Sequence, residues 1–229
     1  MKKNHKLLIL GGNSSFAHNL IEYSQKEHYE IFATFRGEKS LLATKEVNLL
    51  SLDITNLTSI ERFLTQINDY RISYVACFIG SLSEINTRNV YEESKKYIET
   101  YVTNLVYLLE GLQQKNRLNN NCRVLIMSSR AVKYGSFDYY YAISKAAVEA
   151  YVKSKSKSSP QIRINSVSTG LVQGSKMYID MPIEIVENHN LRANNKLMAL
   201  SDVANELIDI FKREDVVSGD TLYIGPQYE

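Results

Sequence analysis

Cysteine is nearly absent from this chain. Its 229 residues hold two, Cys77 and Cys122. They stand far apart, and neither has a second ligand at metal-site spacing, so no metal is expected. Both are expected to pack as small apolar side chains. Long hydrophobic runs are missing too. The chain opens Met1-Lys2-Lys3-Asn4-His5-Lys6, a basic start, but the apolar run that follows, Leu7 to Leu10, is four residues long. A secretory signal needs roughly 7–15 apolar residues, and a membrane helix needs roughly 20. The run therefore reads as a buried first strand, and the protein as cytoplasmic with no membrane partner. An excess of charge of one sign is also lacking. Lys plus Arg number 27 and Asp plus Glu 25, a balance of +2 that gives no bulk reason to expect nucleic acid or an acidic membrane. Repeats and linkers are absent, and the length suits one α/β domain. The one biased stretch, Lys153 to Ser159, reads as the exposed cationic end of a helix, where lysines complement the helix dipole.

What is present is an alternation. Strand-like runs fall at Leu7–Leu10, Glu30–Phe35, Val47–Leu52, Tyr74–Ile79, Arg123–Met127, Arg163–Val167 and Thr221–Ile224. Helical spacing falls between them, at about 16–27, 57–67, 90–114, 141–157 and 200–213. Asn56 or Thr55 is placed to cap the second helix. Strands alternating with helices predict βαβ units, hence an α/β fold. The expected form is a single Rossmann-like domain, a doubly wound parallel sheet of about seven strands with helices on both faces. Residues from about 174 to 198 fit the alternation poorly. An insertion so late in the chain is a candidate lid over a substrate.

The first strand runs into Gly11-Gly12-Asn13-Ser14-Ser15-Phe16-Ala17. A tight strand-to-helix turn of this kind lets the helix N-terminus face a pyrophosphate. The hydroxyls of Ser14 and Ser15 are candidate phosphate donors. A purely structural turn would look similar. Arg36 ends the second strand, where an acidic residue would bind a ribose 2′-hydroxyl. An arginine there suits a 2′-phosphate and so NADP, with a solvated surface arginine as the alternative. Asp53, followed by Ile54, comes after the third strand. It either faces an adenine amino group or serves as a turn aspartate.

Tyr141 and Lys145 stand four residues apart at the opening of a helix, so they share a face. An ammonium near a phenol favours phenolate and brings its pKa down from about 10. That makes tyrosine usable as a general acid or base. Ser128-Ser129 ends the preceding strand, and a serine hydroxyl there could bind a substrate carbonyl oxygen. Tyr139 and Tyr140 lack a lysine four residues on, so only Tyr141 fits the pair. The two neighbours are expected to line the substrate mouth or to pack.

At this point the sequence resembles a short-chain dehydrogenase/reductase of the classical type, over nearly its whole length. Leu10 to Ala17 resembles the family's TGxxxGxG, Asn104-Leu105 its helix asparagine, and Met127-Ser128-Ser129 the strand bearing its serine. Tyr141-Ala142-Ile143-Ser144-Lys145 resembles YxxxK, and Asn165 to Val172 resembles N-x-V-x-P-G-x-V. Ser218 to Ile224 resembles the closing TGxxxxVDGG stretch. The resemblance implies an NAD(P)-dependent oxidoreductase acting on a small carbonyl or alcohol substrate, with NADP(H) preferred and NAD(H) possible. It implies Tyr141 as acid/base, Lys145 as holder of the nicotinamide ribose, Ser129 as carbonyl-binding hydroxyl, and Asn104 as support for a water chain to Lys145. Gly11, Asn13 to Phe16, Arg36, Asp53, Ile54, Gly80, Gly170 and Val172 would line the cofactor. A homodimer or homotetramer packed through the long helices near Asn104 and Tyr141 is also implied. The chain departs from the pattern in several places. Ser15 and Ala17 replace glycines, Cys77-Phe78-Ile79-Gly80 replaces NNAG, Thr169 replaces proline, and Gly174 stands where threonine often binds the cofactor amide. Ser129 keeps the second place in the serine pair, while Ser128 would restore the usual distance to the tyrosine. A nucleotide-binding sensor or scaffold with little catalysis is the competing reading. A sugar-nucleotide epimerase is disfavoured by the short chain after Lys145.

Overall fold

The computed structural model describes residues 5–37, 46–68, 70–83 and 89–227. The basic start at Met1–Asn4 lies outside them. Nine strands and nine α-helices follow one another in this description. The strands are β1 (Lys6–Leu10), β2 (Glu30–Phe35), β3 (Val47–Ser51), β4 (Ile72–Cys77), β5 (Leu118–Ser129), β6 (Ile162–Thr169), β7 (Val172–Gln173), β8 (Met198–Ala199) and β9 (Thr221–Tyr223). The helices are α1 (Ser15–Lys26), α2 (Leu57–Gln66), α3 (Val90–Ile98), α4 (Asn104–Gln114), α5 (Ala131–Tyr134), α6 (Tyr139–Ser158), α7 (Lys176–Asp180), α8 (Ile183–Arg192) and α9 (Leu200–Lys212).

Seven strands make one parallel sheet in the order β3-β2-β1-β4-β5-β6-β9. The order reverses between β1 and β4, the doubly wound arrangement that opens a crevice at the carboxyl ends of the strands. Alternation along β1 shows why both faces are covered. Leu8 and Leu10 join a core cluster with α2, α4 and α6, through residues such as Phe63, Leu108 and Val152. Leu7 and Ile9 join a second cluster with α1 and α9, through Leu20, Leu207 and Phe211. Cys77 and Cys122 are free thiols buried in the first of these. No described helix is long and apolar enough to cross a membrane.

Local chemistry sets the helix starts. Ser14 caps α1 by accepting from the Phe16 amide, and Asn56 caps α2 by accepting from the Ser59 amide. The stretch read as one helix over 90–114 is α3 and α4 joined by a π-helical turn, Glu99–Thr103. There the Asn104 amide donates to the Glu99 carbonyl, five residues back. The biased run Lys153–Ser159 is only partly the exposed helix end expected. Lys155 is buried and donates to Glu110 on α4 at 2.6 Å, because it lies one turn beyond Tyr151, which donates to the same carboxylate. Residues 174–198 fold as α7 and α8. Their two ends are brought together where β7 pairs with β8, Val172 with Met198 and Gln173 with Ala199.

Candidate active site

A cleft of about 760 Å³ opens at the carboxyl ends of the strands. Its lining includes Asn13, Ser14, Ser15 and Phe16 from the start of α1, and Gly80 to Ser83 after β4. Ser129, Tyr141, Lys145, Gly170 and Val172 complete the part anticipated from sequence. Gly11, Arg36, Asp53, Ile54 and Asn104 are outside this lining.

The turn at the nucleotide end is tied down from β2. Gly11 donates from its amide to the Thr34 hydroxyl at 2.9 Å, and Gly12 to the Thr34 carbonyl at 2.8 Å. Gly11 has φ +85°, and a Cβ there would stand 3.1 Å from the Phe78 carbonyl carbon, so only glycine fits comfortably. Asn13 accepts from the Arg36 amide at 3.0 Å, which couples the turn to the residue after β2. The Arg36 side chain itself is exposed. Ala17, in place of a glycine, has its methyl fully buried against the core and not in the cleft. Asp53 acts as a turn aspartate, accepting from the amide and hydroxyl of Thr55. Asn104 is buried and donates to the Ile54 carbonyl at 2.9 Å, so α4 is pinned to the loop after β3.

At the chemical end the serine pair divides its work. Ser128 points away from Ser129 along the strand and donates to Glu149 on α6 at 2.5 Å. Ser129 accepts from the Ala131 amide at 3.1 Å and lies near enough to the Tyr141 phenol to favour its ionised form. Lys145 is buried, its Nζ donating to the Met127 carbonyl at 2.8 Å and lying 5.7 Å from the centre of the Tyr141 ring. Burial pushes the Lys145 ammonium down to about 8, slightly opposed by Cys77. The sequence led us to expect a phenol lowered by this lysine. Instead burial holds the Tyr141 phenol above 10, helped by the Asp138 carboxylate and only partly countered by Ser129. Desolvation outweighs the pairing because neither group sees water. Gly80 closes against the lysine: it has φ +146°, and a Cβ there would come within 2.7 Å of Lys145 Nζ.

Several residues of the site escaped the sequence reading. Asp138 is buried and caps α6, accepting from the Tyr141 amide at 2.9 Å. The same carboxylate accepts from the amide and hydroxyl of Ser83. Tyr97 donates to the Ser81 carbonyl, and Tyr101 shares a 2.9 Å hydrogen bond with the Ser81 hydroxyl. These contacts fix the loop that stands in place of NNAG. An aspartate three residues before a helix residue is a readable capping signal, so Asp138 was within reach. Arg130, Tyr134, Phe137, His189 and Arg192 also line the cleft, and they converge from separate segments that carry no local signal. Tyr139 and Tyr140 pack against each other with tilted rings, centres 4.4 Å apart, and do not line it.

A family model described as Enoyl-(Acyl carrier protein) reductase matches residues 12–224. The chain belongs to the short-chain dehydrogenase/reductase family. Members are oxidoreductases that act on CH–OH and C=O groups with NAD(P)(H). Solved structures share the fold at low identity. A short chain dehydrogenase family protein from Francisella tularensis subsp. tularensis SCHU S4 is 18% identical, with TM-score 0.80 and coverage of 96% of this chain and 97% of that one. A short-chain dehydrogenase/reductase from Serratia marcescens BCRC 10948 is 15% identical, with TM-score 0.84 and coverage of 98% of each chain. A glucose/ribitol dehydrogenase-type member from Brucella melitensis is 15% identical, with TM-score 0.82 and coverage of 97% and 96%. A search of curated proteins by sequence gives no match.

Proposed function

We propose that this short-chain dehydrogenase/reductase is an NADP(H)-dependent enzyme that interconverts a carbonyl and an alcohol, with Tyr141 as the acid/base. The observation that carries the reading is the Tyr141 phenol, set beside the buried Lys145 in one cleft that Ser129 also lines. The residues suit a dinucleotide: the residues opening α1 line the cleft, and a Cβ at Gly80, also in the lining, would press on Lys145. Ser14 to Phe16 would take the pyrophosphate, Lys145 the nicotinamide ribose, and the backbone at Gly170 to Val172 the nicotinamide amide. Arg36 would take a 2′-phosphate. A bound nicotinamide supplies or accepts the hydride. Ser129 and Tyr141 both donate to the substrate oxygen, which polarises the carbonyl. In reduction the phenol gives its proton to that oxygen, and in oxidation it takes the proton back. Burial raises the phenol's pKa and so favours the protonated form that reduction needs. Asn104 holds the Ile54 backbone and so pins α4 to the loop after β3. Ala17 is buried in the core and adds no bulk to the cleft, so the lost glycine there is no obstacle to a cofactor.

Tyr141→Phe is expected to lower carbonyl-dependent NADPH oxidation by about 10²–10⁴-fold, the usual contribution of a general acid, and to leave the thermal shift with NADPH in place. NADPH oxidation at the wild-type rate by this variant would reject the assignment. NADPH is expected to stabilise the chain more than NADH at equal concentration, with Arg36→Glu reversing the order. Equal shifts in the wild-type protein would rule out the NADP preference. The enzyme is further proposed to be a homodimer or homotetramer packed through α4 and α6.

A further inference from the structure

Helix α6 meets the carboxyl end of β5 through two side-chain hydrogen bonds. Lys145 Nζ donates to the Met127 carbonyl at 2.8 Å. One residue on along the strand, the Ser128 hydroxyl donates to Glu149 Oε1 at 2.5 Å. Glu149 follows Lys145 by four residues, as Lys145 follows Tyr141, so the three form one stripe along the helix. Met127, Ser128 and Ser129 are consecutive on β5. The stripe that carries the acid/base tyrosine is thus bonded at two levels to the strand that carries the carbonyl-binding serine.

These bonds do what apolar packing cannot. Val148 and Val152 of α6 share a core cluster with Val124 and Ile126 of β5. That attraction is non-directional, so it sets how near the helix lies but not its slide or its turn about its own axis. Two directional bonds one helical turn apart fix both. Ser128 is a firm anchor, being buried on an interior strand and paired in register with Ser168 of β6. Its bond to a carboxylate has the short length of a charge-assisted hydrogen bond. Among the described residues, Glu149 has no other hydrogen bond or ion pair. It is also outside the lining of the cleft. Nor does its charge prepare Lys145, whose lowered pKa comes from burial, with Cys77 opposing it.

We propose that Glu149 is a positioning residue for the reaction: by holding Ser128 it sets the slide and rotation of α6, and with them the places of Tyr141 and Lys145 relative to Ser129. This rests on the reductase reading above, in which those three residues act, and adds a fourth that touches neither substrate nor cofactor. A misplacement of about 1 Å at a reacting group can cost about 10²-fold in rate. The clamp needs an acceptor oxygen at residue 149 and a hydroxyl at residue 128, and it does not need the negative charge.

Four variants test it, with 4-nitrobenzaldehyde and NADPH as the probe and kcat taken per NADPH-binding site, so that misfolded chains do not count. Glu149→Leu and Ser128→Ala are each expected to lower kcat by about 10–100-fold, with KM for the aldehyde little changed. The double variant is expected to fall no further than either single one, because both remove the same bond. Glu149→Gln keeps an acceptor for the Ser128 hydroxyl and should stay within about threefold of the wild type, a rescue that lost helix stability or lost charge would not give. Additive losses, a wild-type kcat in Glu149→Leu, or Glu149→Gln falling as far as Glu149→Leu would each overturn the proposal. Crystal structures of the wild type and Glu149→Leu decide it without turnover: Tyr141 and Lys145 are expected to shift relative to Ser129, and an unmoved pair would reject the clamp. An active Tyr141→Phe would instead defeat the reductase reading and leave the structural comparison standing.

Discussion

Lys145 shows how a single residue is shaped by where its neighbours leave it. Its ammonium is buried, and the folded chain releases its proton near 8 instead of 10.5. The consequence for stability has a definite sign. Below pH 8 both folded and unfolded chains hold the proton, and the fold bears the full cost of burying the charge. Between about 8 and 10.5 the unfolded chain holds a proton that the folded chain has lost, so this residue's contribution rises with pH. Above that range both are neutral and the cost is gone. Lys145→Met is therefore expected to melt several degrees above the wild type at pH 7, with the gap closing by pH 10.5. Calorimetric melts at pH 7, 9 and 10.5 check this, and a constant gap would contradict it. The residue itself was legible, because a tyrosine and a lysine one helical turn apart declare a shared face. Its effect on the phenol was not, because spacing says nothing about exclusion of water. Arg192, His189 and Arg130 were illegible for a different reason, as they share one cleft only after two distant segments fold together.

At the scale of elements, α6 depends on Asp138 at both ends of its task. The carboxylate caps the helix that carries Tyr141 and also holds Ser83 in the loop after β4. Loss of an N-cap alone costs about 0.5–2 kcal/mol. Asp138→Ala is expected to lower the melting temperature by a few degrees and to reduce kcat/KM, since both walls of the site shift. Asp138→Asn should recover most of the stability, because asparagine caps as well, but less of the activity, because one oxygen replaces two. Melting curves and NADPH-oxidation kinetics on the pair separate the two effects. If Asp138→Ala melts and turns over as the wild type does, the clamp is not needed. The helices and strands were mostly readable from periodicity. The π-helical turn before Asn104 was not, since one extra residue per turn leaves the apolar pattern of 90–114 nearly unchanged. The first half of β5 was hidden because Asn119, Asn120 and Asn121 lack the apolar signature of a strand. It forms at the start of an interior strand, where Leu118 pairs with Ile72 and Cys122 with Ile162.

For the whole molecule, the alternation of strand and helix was enough to anticipate the doubly wound sheet, because parallel strands require crossovers and crossovers here are helices. Assembly is a matter of what remains uncovered. Tyr107 on α4 and Ile143 on α6 are 42% and 51% exposed, and a partner packed on these helices would cover them. Light scattering is expected to give a dimer or tetramer. A monomer would reject packing through these helices. The insertion was recognised only as a break in the pattern, since strands of two residues, β7 and β8, have no period to read.

That short pairing has a practical meaning. It closes residues 174–197 into a module whose two ends enter and leave at one point beside the sheet. The residues that would carry the chemistry, Ser129, Tyr141 and Lys145, belong to β5 and α6 and lie outside it, while His189 and Arg192 lie within. The stretch that supplies Met177, Met181, His189 and Arg192 to the cleft is thus separable in the gene from the one that carries Ser129, Tyr141 and Lys145. A recombinant exchange made at Gln173 and Met198 would carry one without disturbing the other, which gives the fold a cheap route from one substrate to the next.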